Sequence, residues 1–207
     1  MDKHEITQLL TGVADGNISP EGAALKLKMQ PFKEIEEYAR IDLHRGIRQG
    51  VPEVIYGAGK TPEHIVGIAK GMLESGQKSV LITRISEETA QFIQRELSLN
   101  YDKLSKTGTI GGMPEPTGKG TVVVATGGTS DIPVAEEAAI TAEMLGNRVV
   151  RLYDVGVSGI HRLLSNLEPI MSARVIVAVA GMEGALPSVI GGLADCPFIA
   201  VPTSVGY

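Results

Sequence analysis

Tryptophan is absent from this 207-residue sequence, and aromatic residues supply only 4% of it. Binding surfaces built on aromatic stacking are disfavoured by that absence, while 25 glycines point to small-residue α/β packing with tight turns. There is one cysteine, so no internal disulfide can form, and no His or Cys spacing matches a zinc site. Basic residues are in the minority: 19 Lys and Arg face 24 Asp and Glu, for a net charge of -5. Nucleic acids and anionic membrane surfaces both select a basic patch, so neither is expected as a partner, and a small molecule or another protein is. No run reaches the ~18 consecutive apolar residues of a membrane span. The opening MDKHEITQLL also lacks the apolar stretch of a signal peptide, so the chain reads as cytoplasmic.

What is present is ordinary globular composition, 43% hydrophobic and 21% charged, enough for one large domain or two small ones. Ile6, Leu9, Leu10 and Val13 recur at helical spacing. NISPEGAALKLKM restarts that pattern with Ser19 as N-cap and Pro20 at the first helical position, which predicts a helical hairpin. From Val54 a βαβα pattern follows: VIYG as a strand, a helix capped by Thr61, SVLITRI as a strand and a helix capped by Ser86. The stretch KTGTIGGMPEPTGKG, Lys106 to Gly120, holds five glycines and two prolines and is the predicted boundary. Residues 1–117 then form a helical hairpin with a small α/β region, and residues 118–207 form a second domain.

In that second domain TVVVAT, RVVRLYD, RVIVAVA and PFIAVP are short β-branched runs separated by segments of helical period, the pattern of a parallel sheet covered on both faces. The helix after the first run is expected to bury the face carrying Val134, Ala138, Thr141, Ala142 and Leu145. Ligands of such sheets bind beyond the carboxyl ends of the strands. Four clusters stand there: GGTSD (Gly127 to Asp131), DVGVSG (Asp154 to Gly159), GMEGALP (Gly181 to Pro187) and PTS (Pro202 to Ser204). Glycines admit close backbone approach, and Ser130 or Asp131 can cap a helix whose first amides favour an anion. GGTSD serves equally as a turn with an N-cap, but four clusters of one kind favour a small-molecule site. Asp131 would repel a phosphate and suits sugar hydroxyls. The spacing does not match the Gly-x-Gly-x-x-Gly dinucleotide fingerprint.

Asp154 and Glu183 follow the second and third runs and are the acid–base candidates, solvated caps being the other reading. His161 and Arg162 either reach an anionic substrate or face water. Cys196 precedes the last run, on the opposite edge, and reads as a small buried thiol. GAGKT, Gly57 to Thr61, lacks the first glycine of a Walker A loop, since Val54 stands in its place. ARIDLHRGIRQG, with Asp42, His44, Arg45 and Arg48, reads as a solvated helix face; an anion-binding or subunit-contact surface is the alternative.

The stretches ARIDLHRGIRQGVPEVIYGAGKTPEHI, VVVATGGTSDIPVAEEAA, LYDVGVSGIHRLL and VAVAGMEGALPSVIGGLADCPFIAVPTSVGY, spread over Tyr38 to Tyr207, resemble the LarB proteins of nickel-pincer cofactor biosynthesis. The second half is similar, more distantly, to the PurE aminoimidazole ribonucleotide carboxylases. The resemblance implies an α/β chain: an N-terminal helical and small α/β region, then a PurE-like parallel sheet in three layers. It implies carboxylation of the pyridinium ring of nicotinic acid adenine dinucleotide with carbon dioxide or bicarbonate as co-substrate, and hydrolysis of its phosphoanhydride to AMP and pyridinium-3,5-biscarboxylic acid mononucleotide. Thr129, Ser130 and Asp131 would bind the nucleotide, together with Gly128, Gly156, Gly181, Met182, Gly184 and Ala185, while Asp154 and Glu183 would lie at the reacting ring. Magnesium for the anhydride cleavage and a homo-octamer are implied as well, although no metal cage is legible. In LarB proteins a glycine-rich loop, a helix and the nucleophilic cysteine follow VPTSVGY, so the second domain is expected to be C-terminally incomplete. Two other readings stand beside this one: an aminoimidazole ribonucleotide carboxylase or mutase, which the N-terminal half speaks against, and a catalytically silent nucleotide-binding module.

Overall fold

The computed structural model describes residues 3–29 and 32–204, without the side chains at 3, 28, 29, 47 and 48. Its contacts divide the chain into two compact units, Met1–Asn100 with Thr109–Gly112, and Tyr101–Gly108 with Met113–Tyr207. No helix among the described residues is long and apolar enough to cross a membrane.

The chain begins with the helical hairpin, α1 (Lys3–Ala14) and α2 (Pro20–Met29), and the Ser19 Oγ accepts the Gly22 N–H at 3.0 Å to start the second helix. An antiparallel ribbon follows, β1 (Phe32–Ile35) with β2 (Ala39–Asp42). The segment read as a helix face is therefore mostly strand and turn, and only α3 (Arg45–Gln49) is helical. The reason is local: Asp42 accepts the His44 N–H at 3.0 Å, an Asx turn that ends the strand, and the Asp42 N–H is in turn held by Glu53 at 2.7 Å. The Arg48 side chain lies outside the described residues. Then come β3 (Ile55–Tyr56), α4 (Pro62–Glu74), β4 (Val80–Thr83), α5 (Glu87–Gln94), β5 (Leu99–Asp102) and β6 (Thr107–Ile110), with sheet order β3-β4-β6-β5. Thr61 and Ser86 cap α4 and α5, accepting the N–H groups of His64 and Thr89 at 3.3 and 3.2 Å. The glycine-rich stretch read as a boundary opens with β6, a strand that the sequence reading left out. Gly111 ends it at φ 80°, where a Cβ would stand 2.3 Å from the Lys78 carbonyl oxygen.

The second unit carries a four-stranded parallel sheet in the order β10-β9-β7-β8. Its strands are β7 (Thr121–Thr126), β8 (Arg148–Leu152), β9 (Val175–Ala180) and β10 (Phe198–Pro202), and each parallel step is made by helix: α6 (Ile132–Met144), then α7 (Ile160–Leu164) with α8 (Leu167–Met171), then α9 (Ala185–Leu193). Alternation along the strands builds two cores. Val123, Ala125, Ile176 and Ala178 pack against Leu163, Ile170, Leu186 and Ile190 of α7, α8 and α9, while Val124 and Val179 pack against Ala135 and Ala139 of α6 on the other face. The result is a three-layer α/β domain, a parallel sheet with helices on both faces.

Two expectations about coverage are corrected. The α6 residues that are buried are Ala135, Ala139, Ile140 and Met144, none of them on the expected face, of which Val134 packs on the core while only partly buried. Small apolar residues surround this helix, so period alone does not choose a side, and the paired alanines set the close approach to the sheet. The last strand is also less covered than a two-sided core requires: Phe198 and Ile199 are 44% and 54% exposed. The α6 helix packs on β7, β8 and β9, and α9 is the helix that reaches β10.

Candidate functional site

From β7 the chain goes to β8 on one side and later crosses to β9 on the other, so the connections leave on opposite faces and part at the carboxyl ends of β7 and β9. Parting loops of this kind leave a crevice, the usual ligand position in an open parallel sheet. A cavity of about 440 Å³ lies there. Gly127, Gly128, Ser130 and Asp131 line it from the loop after β7, and Gly156, Val157 and Ser158 from the loop after β8. The loop after β9 contributes Gly181, Met182 and Glu183, with Ala185 and Leu186 from the start of α9.

Most residues singled out from the sequence thus share one cavity: Gly128, Ser130, Asp131, Gly156, Gly181, Met182, Glu183 and Ala185. Thr129, Asp154 and Gly184 do not line it. Thr129 is exposed in the short 3-10 turn before α6. Gly184, at φ 64°, donates its N–H to the Gly181 carbonyl at 3.0 Å and folds the loop that carries Glu183.

Asp131 is only 5% exposed, and both of its oxygens are engaged. Oδ2 accepts the Gly128 N–H at 2.9 Å, and Oδ1 accepts the Thr203 hydroxyl at 2.6 Å. These bonds leave each oxygen a second lone pair, and their first effect is to set the glycine loop. Thr203 also donates its N–H to the Ala180 carbonyl at 3.1 Å, so the fourth sequence cluster braces the crevice from behind. The loops meet backbone to backbone: a Cβ on Gly156 would stand 2.3 Å from the Gly127 carbonyl oxygen.

Asp154 sits just beyond the end of β8 in the left-handed region, φ 58°. Its N–H donates to Oγ1 of the fully buried Thr126 at 2.9 Å, and its carboxylate pairs with the Arg162 guanidinium at 2.5 Å. The open question over Arg162 is thereby answered in part, since it is neither free in water nor part of the cavity wall; His161 is exposed. Glu183 differs from both aspartates. Exposed at the mouth, it makes no hydrogen bond or ion pair among the described residues, and its charge is available to a ligand. Cys196 is half-buried and packs against the core at the amino end of β10, the edge opposite the crevice.

Gly127, Val157, Ser158, Ala180 and Leu186 complete the wall without having been singled out. All of them but Ala180 stood inside the quoted clusters, whereas Thr126 gave no signal, because it reads simply as the last residue of a strand. Among the described residues no group of three His, Cys, Asp or Glu is placed to hold a metal ion. The donors of the described residues do not form a cage for magnesium.

Comparison with known proteins follows the same division of the chain. Residues 32–112 match the LarB/PurE-like N-terminal domain, and residues 121–207 match the AIR carboxylase domain. An uncharacterized protein of Methanocaldococcus jannaschii is 39% identical over 210 residues, an alignment covering 98% of this chain and 82% of that protein.

Proposed function

The chain belongs to the LarB/PurE-like family, and on that premise we propose that it carboxylates the pyridinium ring of nicotinic acid adenine dinucleotide and cleaves its phosphoanhydride. The products are pyridinium-3,5-biscarboxylic acid mononucleotide and AMP. The AIR carboxylase domain supports a carboxylase-type function; the substrate and the hydrolytic step are the proposal. The observation that carries it is the crevice between β7 and β9, a backbone-lined cradle with the unpaired Glu183 at its mouth.

A cationic pyridinium ring is an electron sink and cannot attack carbon dioxide. Addition of a thiolate converts it to an enamine-like ring, whose carbon attacks carbon dioxide and forms the new C–C bond. The carbon that has gained the carboxylate still holds its proton. Glu183 accepts that proton, the electron pair returns to the ring, and the thiolate leaves as the aromatic cation is restored. In the LarB pattern the thiolate comes from a segment that follows VPTSVGY; Cys196, at the opposite edge, is not that group. The N–H groups and glycines of the β7 and β9 loops accommodate the nucleotide, and Ser130 offers a hydroxyl. Asp154, held by Thr126 and Arg162, flanks the reacting ring in this reading. Assembly as a homo-octamer belongs to the same proposal, and light scattering tests it.

The test is incubation of the protein, in a form that carries the thiol-bearing segment after VPTSVGY, with nicotinic acid adenine dinucleotide and ¹³C-bicarbonate, with mass detection of AMP and of the labelled dicarboxylated mononucleotide. Both products are expected, with the rate reduced about 100-fold or more in Glu183→Gln. Binding of the dinucleotide with release of neither product would end the proposal. The AIR carboxylase match favours one second reading, carboxylation of aminoimidazole ribonucleotide, which turnover of that ribonucleotide in the same assay would support.

A further inference from the structure

The first unit holds a cavity that the carboxylation chemistry does not use. About 350 Å³ in volume, it is bounded by residues 38–41 and 53–56 and closed by Lys60 and Ile68. Both bounding runs contain an edge strand: β2 pairs with β1 alone, and β3 ends its sheet. The floor is apolar, with Ile41 and Ile55 each only 3% exposed and Val54 and Ile68 beside them. Two aromatic rings stand in its wall. Tyr38 is stacked on His64 at a centroid distance of 4.3 Å, and Tyr56 is 54% exposed with the Arg84 guanidinium 5.7 Å from its ring centroid.

The charges divide unevenly. Glu53 is already committed, accepting the Asp42 N–H at 2.7 Å and lying 3.8 Å from the Arg45 guanidinium. Arg40 is shared with Glu34 at 3.1 Å. The Lys60 ammonium, on the glycine loop that leads into α4, makes no ion pair among the described residues. The wall therefore combines aromatic faces, an apolar floor and a positive charge without an internal partner, in a volume suited to a small molecule.

We infer that this cavity is a second small-molecule site, which takes a planar aromatic anion with its ring against Tyr38, Tyr56 and the isoleucine floor and its charge at Lys60. The site is independent of the reading given to the crevice, and the two fail separately. The sequence has five tyrosines, and none of the four among the described residues lines the crevice. In full-length protein labelled with 3-fluorotyrosine, ¹⁹F signals assigned by Tyr38→Phe and Tyr56→Phe report on this cavity, and the Tyr56 signal separates it from the neighbouring acidic cavity of Glu34, Glu36 and Glu37, which Tyr38 also borders. The probes are AMP, an aromatic phosphate, and nicotinate, an aromatic carboxylate, with adenosine as the uncharged control.

Saturable shifts of the Tyr38 and Tyr56 signals are expected with at least one of the two anions. Lys60→Gln should weaken that binding about tenfold while leaving any response to adenosine unchanged. Lys60 is exposed, so this replacement should leave the fold intact, which unchanged signals from the other tyrosines verify. Silence of both signals at millimolar concentrations of both anions, or an affinity untouched by Lys60→Gln, would overturn the inference. Glu183→Gln, which acts in the crevice, should leave these shifts in place.

Discussion

The Thr203 hydroxyl donates to Oδ1 of Asp131 across 2.6 Å, tying the segment after β10 to the glycine loop after β7. These residues lie 72 positions apart, and the bond uses a carboxylate that is 5% exposed. A buried acceptor that loses its donor keeps its desolvation cost, so Thr203→Val should destabilise the second unit by about 1–3 kcal/mol. Urea unfolding measures the loss. Because Asp131 Oδ2 also holds the Gly128 N–H, dinucleotide affinity should fall as well. An affinity that stays intact despite the lost stability would show that the glycine loop holds its shape without this brace.

Asp154 carries a non-glycine side chain at φ 58°, a backbone region that glycine occupies more readily. Asp154→Gly relieves that conformational cost and gives up an ion pair whose two side chains are 36% and 48% exposed, so stability should stay within about 1 kcal/mol of the parent. Carboxylation should nevertheless drop by about 100-fold or more if the carboxylate acts at the ring. Unfolding midpoints and product formation, measured on the same preparation, separate the two effects. Unchanged turnover would remove Asp154 from the chemistry.

The approach of the two glycine loops admits no side chain. In Gly156→Ala the new methyl would stand 2.3 Å from the Gly127 carbonyl oxygen, and backbone must move to admit it. A loss of more than about 2 kcal/mol is expected, together with loss of ligand binding in the crevice. The matched control is Gly192→Ala in α9, where a Cβ meets nothing within 4 Å. There alanine should stabilise by up to about 1 kcal/mol, because glycine is a poor helix former.

The parts of the fold legible in the sequence were those with strong local grammar. Ser19, Thr61 and Ser86 announce helix starts by the hydroxyl that caps them, and the four apolar runs after Gly120 are β-branched and bounded by turns. The strands β1, β2, β5 and β6 escaped because FKEI, ARID, LNYD and TGTI mix charged, polar or glycine residues into four positions, whereas the equally short β4 is the apolar run VLIT. In the crevice, glycines and carboxylates marked the loops, but their division of labour did not show. That Asp131 braces the loop depends on Thr203 arriving from β10, a tertiary fact with no local signature. The same holds for the Lys60 cavity, whose two walls come from strands of different sheets.

On the α6 side of the sheet, Tyr153 donates its hydroxyl to Glu136 at 2.7 Å, and Arg151 bridges Glu136 and Glu143 with contacts of 3.1 and 2.6 Å. Burial, and then the bond to Glu136, push the Tyr153 phenol well above the ordinary tyrosine range. A group whose pKa is raised on folding contributes stability that is whole below its unfolded value and declines as pH rises above it. The alkaline limb of the stability curve should accordingly begin near pH ~10, where the unfolded chain starts to release this proton and the folded chain retains it. Tyr153→Phe should cost about 1–2 kcal/mol at neutral pH, since a bond to a charged acceptor is lost, and should make that alkaline limb shallower. Urea midpoints of both proteins between neutral and strongly alkaline pH give the comparison. Parallel curves would mean that Tyr153 does not hold its proton more tightly in the folded chain and that the Glu136 contact carries no pH-dependent stability.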